Sequence, residues 1–321
     1  MFDLVTALAG RPWAVRSDLA FHVRDMVARG GIGALREFAA LKRFAHDEEL
    51  SARRARAAAE ARAAATGSRG GGASIAHVPI LGLMTQRGDV VNSAETQSSA
   101  LAADQALAAA MNPKVDAILL EIDSTGGEVY GVPELWAAIR QSAKLKPVVA
   151  SVNSVAASAA LYAASAATEI VVTPSGEMGS LGVYALHVDE SEALKAEGIR
   201  VEFVVADESP FKVEGNSTEP LSEEARGEIK KSVNRYMAMF VRDVAHGRGL
   251  TADHVREHFG RGRMLSPADA VKVGMATSVG TFGDAVARAA ELAREHRGSA
   301  GGGGGRSGGS AALAELRVLN S

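Results

Sequence analysis

The sequence predicts an α/β body, a mostly parallel sheet covered by helices, with a helical arm in front of it. Three observations predict it. From residue 75 onward, short apolar runs alternate with alanine-rich or amphipathic stretches of helical length. The run Ala-Ile-Leu-Leu-Glu-Ile at 117–122 is almost continuously apolar, the pattern of a strand buried on both faces. Glycine-rich stretches cut this rhythmic part away from both ends of the chain.

Residues 67–74 and 298–310 are rich in glycine and serine. Ordering such stretches costs much backbone entropy, so they read as flexible linkers. They separate an arm (1–66), a body (75–297) and a short tail (311–321). Residues 51–65 of the arm are mostly alanine and arginine, a composition of high helix propensity. In the tail Leu313, Leu316 and Leu319 recur at threefold spacing, one or two weak amphipathic turns. The body is expected to hold strands at 75–84, 117–122, 147–152, 170–172, 182–188 and 201–205. Helices are expected at 94–111, 132–142, 154–166, 191–197 and 221–246.

Composition excludes several chemistries. The chain has 321 residues, 47% apolar and 23% charged, ordinary for a globular protein and enough for one large domain with appendages. Its net charge of −3 gives no reason to expect a nucleic-acid partner. It has no cysteine, which removes disulfides, thiolate nucleophiles, iron–sulfur clusters and cysteine-ligated zinc. No apolar run reaches the roughly 18 residues of a membrane span. Asp3, Arg11, Arg16 and Asp18 break any signal-peptide pattern, so the expected compartment is the cytoplasm, without a membrane partner.

Without cysteine, covalent catalysis falls to Ser, Thr, Lys or a carboxylate. Three places carry residues of that kind. Ser158 stands in Ala156-Ala157-Ser158-Ala159-Ala160, where small neighbours leave a hydroxyl open to an approaching backbone and the next N–H lies near a helix N-terminus. The same small residues also suit plain helix packing. Asp123-Ser124-Thr125-Gly126-Gly127 follows a buried strand, and paired glycines let backbone N–H groups face a ligand. An ordinary strand-to-helix turn reads the same way, and nucleotide-loop spacings are missing. Lys212 lies between Phe211 and Val213; desolvation there would favour the neutral amine and a general base, while a solvated loop lysine is the simpler reading.

Taken in order, these features resemble a family. Gly126-Gly127, then Ala157-Ser158 about thirty residues on, then Gly179-Ser180-Leu181-Gly182-Val183, then Lys212 fifty-four residues after the serine are similar to signal peptide peptidase A and its bacteriophage relatives. Phe211-Lys212-Val213-Glu214-Gly215-Asn216, Glu219-Pro220-Leu221-Ser222-Glu223-Glu224 and Arg11-Pro12-Trp13-Ala14 resemble the capsid-assembly protease branch. The resemblance implies a ClpP/crotonase-like fold of repeated β-β-α units over residues 75–290 and a Ser–Lys endopeptidase without metal or cofactor. It implies Ser158 as nucleophile, Lys212 as base and Ser180 as the group orienting the lysine. Backbone N–H groups of Gly127 (or Gly126) and Ala159 would form the oxyanion hole. The stretch Gly179 to Val183, with Leu181 and Gly182, would pair with a substrate strand. Implied substrates are scaffold, portal or coat proteins and the chain's own linkers; a homo-oligomeric ring, and location in the host cytoplasm or the assembling prohead, are also implied. Ala159 and Ala160 stand where many members have glycine.

Other readings stay open at this point: a signal-peptide-degrading bacterial peptidase, an idle capsid-assembly protein of the same fold, and an acyl-CoA enzyme of the crotonase type. His254 and His258, with Glu257, also fit His-x-x-Glu-His, where two histidines share a helix face and could bind zinc; Glu291 and Glu295 are the generic further ligands.

Overall fold

In a computed structural model of the chain, the described residues are 12–15, 73–88, 90–91, 94–95 and 97–302. The helix expected at 51–65, the glycine run at 67–72 and the tail at 311–321 lie outside them.

The first described element is a strand, β1 (Pro12–Val15), inside the arm that was expected to be helical. The body opens with β2 (Ile75–Thr85) and the short strands β3 (Val90–Val91), β4 (Ala94–Glu95) and β5 (Gln97–Ser98). Helix α1 (Ser99–Met111) starts five residues later than expected, because the Ser98 side chain caps it by accepting from the Leu101 N–H. There follow β6 (Ala117–Glu128), α2 (Val132–Leu145), β7 (Val148–Ala157), α3 (Ala159–Ser165) and β8 (Glu169–Val172). Next come β9 (Glu177–Gly179), β10 (Tyr184–Ala185) and α4 (Ser191–Ala196). The long helix α5 (Glu223–Arg248), α6 (Ala252–His258), β11 (Met264–Leu265), α7 (Pro267–Lys272), β12 (Ser278–Val279) and α8 (Phe282–Gly302) follow.

The sheet is mostly parallel, as the continuous apolar runs require. β2, β6, β7, β8 and β12 are successive parallel neighbours. Alternate residues serve two cores. Ile118, Leu120 and Ile122 of β6 join Val148, Ala150 and Val152 of β7 under α1, α2, α3 and α5, whereas Ala117, Leu119 and Val149 face Ala285, Val286, Ala289 and Ala293 of α8. Arg288 clamps α8 to the sheet through a fork on Glu169, at 2.9 and 2.8 Å. Helix α8 runs to Gly302, into the stretch expected as linker from 298, since adding residues to an existing helix costs far less than starting one.

Three neighbouring strands bend at one level. The register shifts between Leu81 and Leu83 of β2, between Ile122 and Ser124 of β6, and opposite these between Val152 and Ala156 of β7. Beyond the bend the chain pairs differently: β7 leaves β8 for β9, and β6 gains β1. Strand, bend, strand, helix therefore occurs twice, at 117–145 and 148–165, which is the repeated β-β-α unit that was expected. The segment expected as one helix at 154–166 is divided by this unit, because Val155, Ala156 and Ala157 pair with Glu177, Met178 and Gly179. No regular structure forms at 201–205, and of the strand expected at 182–188 Tyr184 and Ala185 pair with β1 while Leu186 makes a single bridge.

Helix α3 is held against α5 by a buried polar contact. The Tyr162 hydroxyl donates to Asp243, which also accepts from Arg242 Nε at 2.7 Å, and the Tyr162 ring stacks on Phe240 at 4.6 Å. Burial, and then the hydrogen bond to Asp243, pushes the Tyr162 phenol well above its ordinary range. Tyr162→Phe is expected to leave the buried carboxylate short of a donor and to cost about 1–3 kcal/mol in a urea melt. A wild-type midpoint would show that the contact stabilises nothing.

Candidate active site

Ser158 sits at the joint between β7 and α3. It is fully buried, and its backbone takes φ 55° and ψ −113°, a conformation that costs a non-glycine residue energy. Both flanking elements enforce this turn. Pairing with β9 holds the chain extended through Ala157, and the Ser158 N–H donates to the Gly179 carbonyl at 2.9 Å. Helix α3 then begins at once, with the Tyr162 N–H bonded to the Ser158 carbonyl at 2.9 Å. Alanines at 156, 157, 159 and 160, all fully buried, are what such close packing of strand, turn and helix allows. Ala159 is the first residue of α3, where backbone N–H groups have no partner within the helix. Ser158 Oγ donates to the Gly182 carbonyl at 3.3 Å.

The glycine pair sits beyond the bend of β6. Ser124 pairs with Ala156, which brings this segment beside the approach to Ser158. Gly126 has φ 93°, and its N–H donates to Ser124 Oγ at 3.1 Å. Ser124 Oγ in turn donates to the Gly82 carbonyl at 2.6 Å, so this serine fixes the bend from the side chain. In the sequence Ser124 reads only as a turn residue; a serine two residues before a glycine at positive φ is the signal that marks it. Gly127 is glycine for a different reason: a Cβ there would lie 1.8 Å from the Met84 carbonyl oxygen.

The segment after β9 departs from expectation in one respect. Gly179 is already flanked by β7 on one side and β11 on the other, and the Ser180 N–H donates to the Arg263 carbonyl at 2.8 Å. A substrate strand therefore has no free edge at Gly179. Ser180 is buried with φ 55°, Leu181 is buried beside it, and Gly182 offers its carbonyl to Ser158. The edge that does take a strand begins just after Val183, at Tyr184 and Ala185. Burial pushes the Tyr184 phenol up to about 12. A small apolar hollow is lined by Val129, Val132, Pro133, Tyr162, Val183, Tyr236 and Phe240.

Lys212 is not gathered into this group. It lies exposed in a turn, its N–H bonded to the Ser209 carbonyl at 3.0 Å, rather than desolvated between apolar neighbours. Among the described residues no hydrogen bond joins its amine to Ser158 or Ser180. The reason lies in the segment around it: 199–220 forms no helix or strand and is not packed into either core, leaving Ile199, Val201, Phe203, Val204 and Phe211 exposed, Val204 to 94%.

The rival histidine pair lies on α6, His254 in its first turn and His258 at its last residue. The His254 and His258 rings are 4.6 Å apart, and His254 Nε2 meets the Val273 carbonyl at 2.9 Å. Among the described residues no group of three or more His, Asp or Glu side chains is placed to hold a metal ion. No helix among them is long and apolar enough to cross a membrane.

Comparison with known proteins gives this arrangement a lineage. The profile of peptidase family S49 matches residues 140–295, which include Ser158, Ser180 and Lys212. Protease 4 of Salmonella typhi is 32% identical over 193 residues, 60% of this chain and 31% of that protein. Capsid assembly protease C of Escherichia phage lambda is 31% identical over 195 residues, 60% of this chain and 44% of that protein. The chain thus spans less than half the length of either. It spans 67% of the protein named "Putative protease slr0021" of Synechocystis sp., at 31% identity over 189 residues, 59% of this chain. The chain belongs to peptidase family S49.

Proposed function

We propose that the chain is a serine endopeptidase in which Ser158 is the nucleophile and Lys212 the general base. The observation that carries this reading is Ser158 itself. A buried serine held at positive φ, between the end of a strand and the first N–H of a helix, serves no packing need that alanine would not meet. The neutral Lys212 amine takes the Ser158 proton, and Oγ attacks the peptide carbonyl carbon. The oxyanion is met by N–H groups of Ala159 and Gly127, that of Gly126 being given to Ser124. The lysine passes its proton to the leaving amine, and water then hydrolyses the ester with the lysine again as base. Ser180 is assigned to orienting the amine.

Because Lys212 rides on an unpacked segment rich in exposed apolar residues, catalysis requires that segment to be covered and drawn onto the site. A second copy of the chain is the proposed cover, in keeping with a homo-oligomer. Substrates are assigned to proteins of phage head assembly, scaffold, portal or coat, on the likeness to the lambda capsid assembly protease.

A serine-reactive phosphonate is expected to label the wild-type protein on Ser158, and Lys212→Ala to reduce both labelling and peptide hydrolysis about 10²–10⁴-fold. Labelling of another serine, or full activity without Lys212, overturns the assignment. Mixing Ser158→Ala with Lys212→Ala protein shows where the base comes from: hydrolysis recovers on mixing only if one copy serves another. Comparing scaffold and signal-peptide substrates by kcat/KM tests the assignment to head assembly.

A further inference from the structure

We propose that residues 12–15 lie in the channel meant for a substrate strand and keep the site closed until they leave it; the proposal rests on the peptidase reading above. The backbone register carries it. β1 runs antiparallel to β6, with Trp13, Ala14 and Val15 opposite Glu128, Gly127 and Gly126. Its other edge runs antiparallel to β10, with Pro12 and Trp13 opposite Ala185 and Tyr184. Among the described residues β10 joins the sheet only through β1. Without residues 12–15, the ends of β6 and β10 would face each other across a gap one strand wide, with backbone N–H and C=O groups along both sides. Such a gap binds any extended peptide by two-sided main-chain pairing, largely regardless of sequence.

This gap is also the approach to Ser158. One wall carries Gly127, the assigned oxyanion donor, and Ala14 is paired directly with it. The other wall begins two residues after Gly182, whose carbonyl holds Ser158 Oγ. Ser158 is 0% exposed in this arrangement. A segment of four paired residues, joined to the body through some sixty residues of chain, is of the size that opens locally without global unfolding. Release of the segment, by a substrate with higher affinity or by a partner that takes hold of the arm, then exposes the channel.

The test uses the full chain. Ala14→Pro removes an N–H from a strand paired on both edges. A fluorescent peptide of residues 10–17 is expected to bind the Ala14→Pro, Ser158→Ala protein at least ten times more tightly than the Ser158→Ala protein; equal affinity overturns the proposal. As a second variant, Trp13→Cys with Tyr184→Cys places the only two cysteines at facing positions. The oxidised form is expected to lose at least nine-tenths of the peptide hydrolysis shown by the reduced form. A cross-link that does not form, or a cross-linked protein as active as the reduced one, overturns the proposal. If no form hydrolyses any peptide and the tenfold binding difference remains, the peptidase reading fails while the occupied channel stands.

Discussion

Peptide hydrolysis by the Ser158→Ala protein is expected to fall on the order of 10⁴-fold or more, while Ser158→Gly, equally inactive, melts at a higher denaturant concentration than Ser158→Ala. The first half rests on the proposed role of Ser158 as nucleophile, without which no acyl-enzyme forms on it. The second half separates a functional strain from a packing role. Serine and alanine meet the same steric cost at φ 55°, so removing the hydroxyl relieves nothing. Glycine relieves the strain, worth about 1–3 kcal/mol, and gives back roughly 0.5–1 kcal/mol through the entropy of its unfolded chain. A net gain of about 1 kcal/mol over alanine is therefore expected in urea melts of the two proteins. Hydrolysis above a tenth of wild type in either variant places the nucleophile elsewhere. Equal melting points mean that position 158 stores no more strain than the roughly 0.5–1 kcal/mol that glycine's entropy offsets.

The strands of the parallel sheet were legible because their signal is local. The apolar runs at 117–122, 147–152 and 170–172 need both faces buried wherever they sit, and β6, β7 and β8 begin within one residue of them. The segments just beyond these runs were not legible. Asp123 to Gly127 reads as a turn by composition, yet it continues β6, since β1, β2 and β7 supply the pairing. Residues 155–157 are alanine-rich and read as helix, but pairing with β9, set by residues twenty-two positions away, overrides that propensity. The converse error occurs at 201–205, where Val201, Phe203 and Val205 alternate as a strand would and find no partner strand among the described residues. Of the site, the serine and the glycines were readable from small-residue context. The partners were not: Ser124 acts through the Gly82 carbonyl forty-two residues away, and β1 is too short for any periodicity to declare it.

Gly127→Ala is expected to destabilise the fold by more than about 4 kcal/mol, or to leave no folded protein to measure. The added Cβ would stand 1.8 Å from the Met84 oxygen, 2.6 Å from its carbonyl carbon and 2.7 Å from its nitrogen. All three are backbone atoms, so no rotamer change relieves the overlap. Nor can β2 withdraw as a whole, because it is paired with β6 from Ile75 to Met84 and carries Ile80 and Met84 into the main core. The glycine pair is thus divided in its purposes. Gly126 supplies a backbone angle, and Gly127 lets β2 approach closely enough to set the wall of the proposed channel, where the proposed oxyanion donor stands. Gly182 provides the contrast. A Cβ there meets nothing within 4 Å, so Gly182→Ala is expected to stay within about 0.5 kcal/mol of wild type in stability although it sits beside Ser158. Urea melts of the two variants decide the matter. If Gly127→Ala and Gly182→Ala unfold at the same concentration, β2 does not press on β6 at this point, and the wall built on that contact is not where the structure puts it.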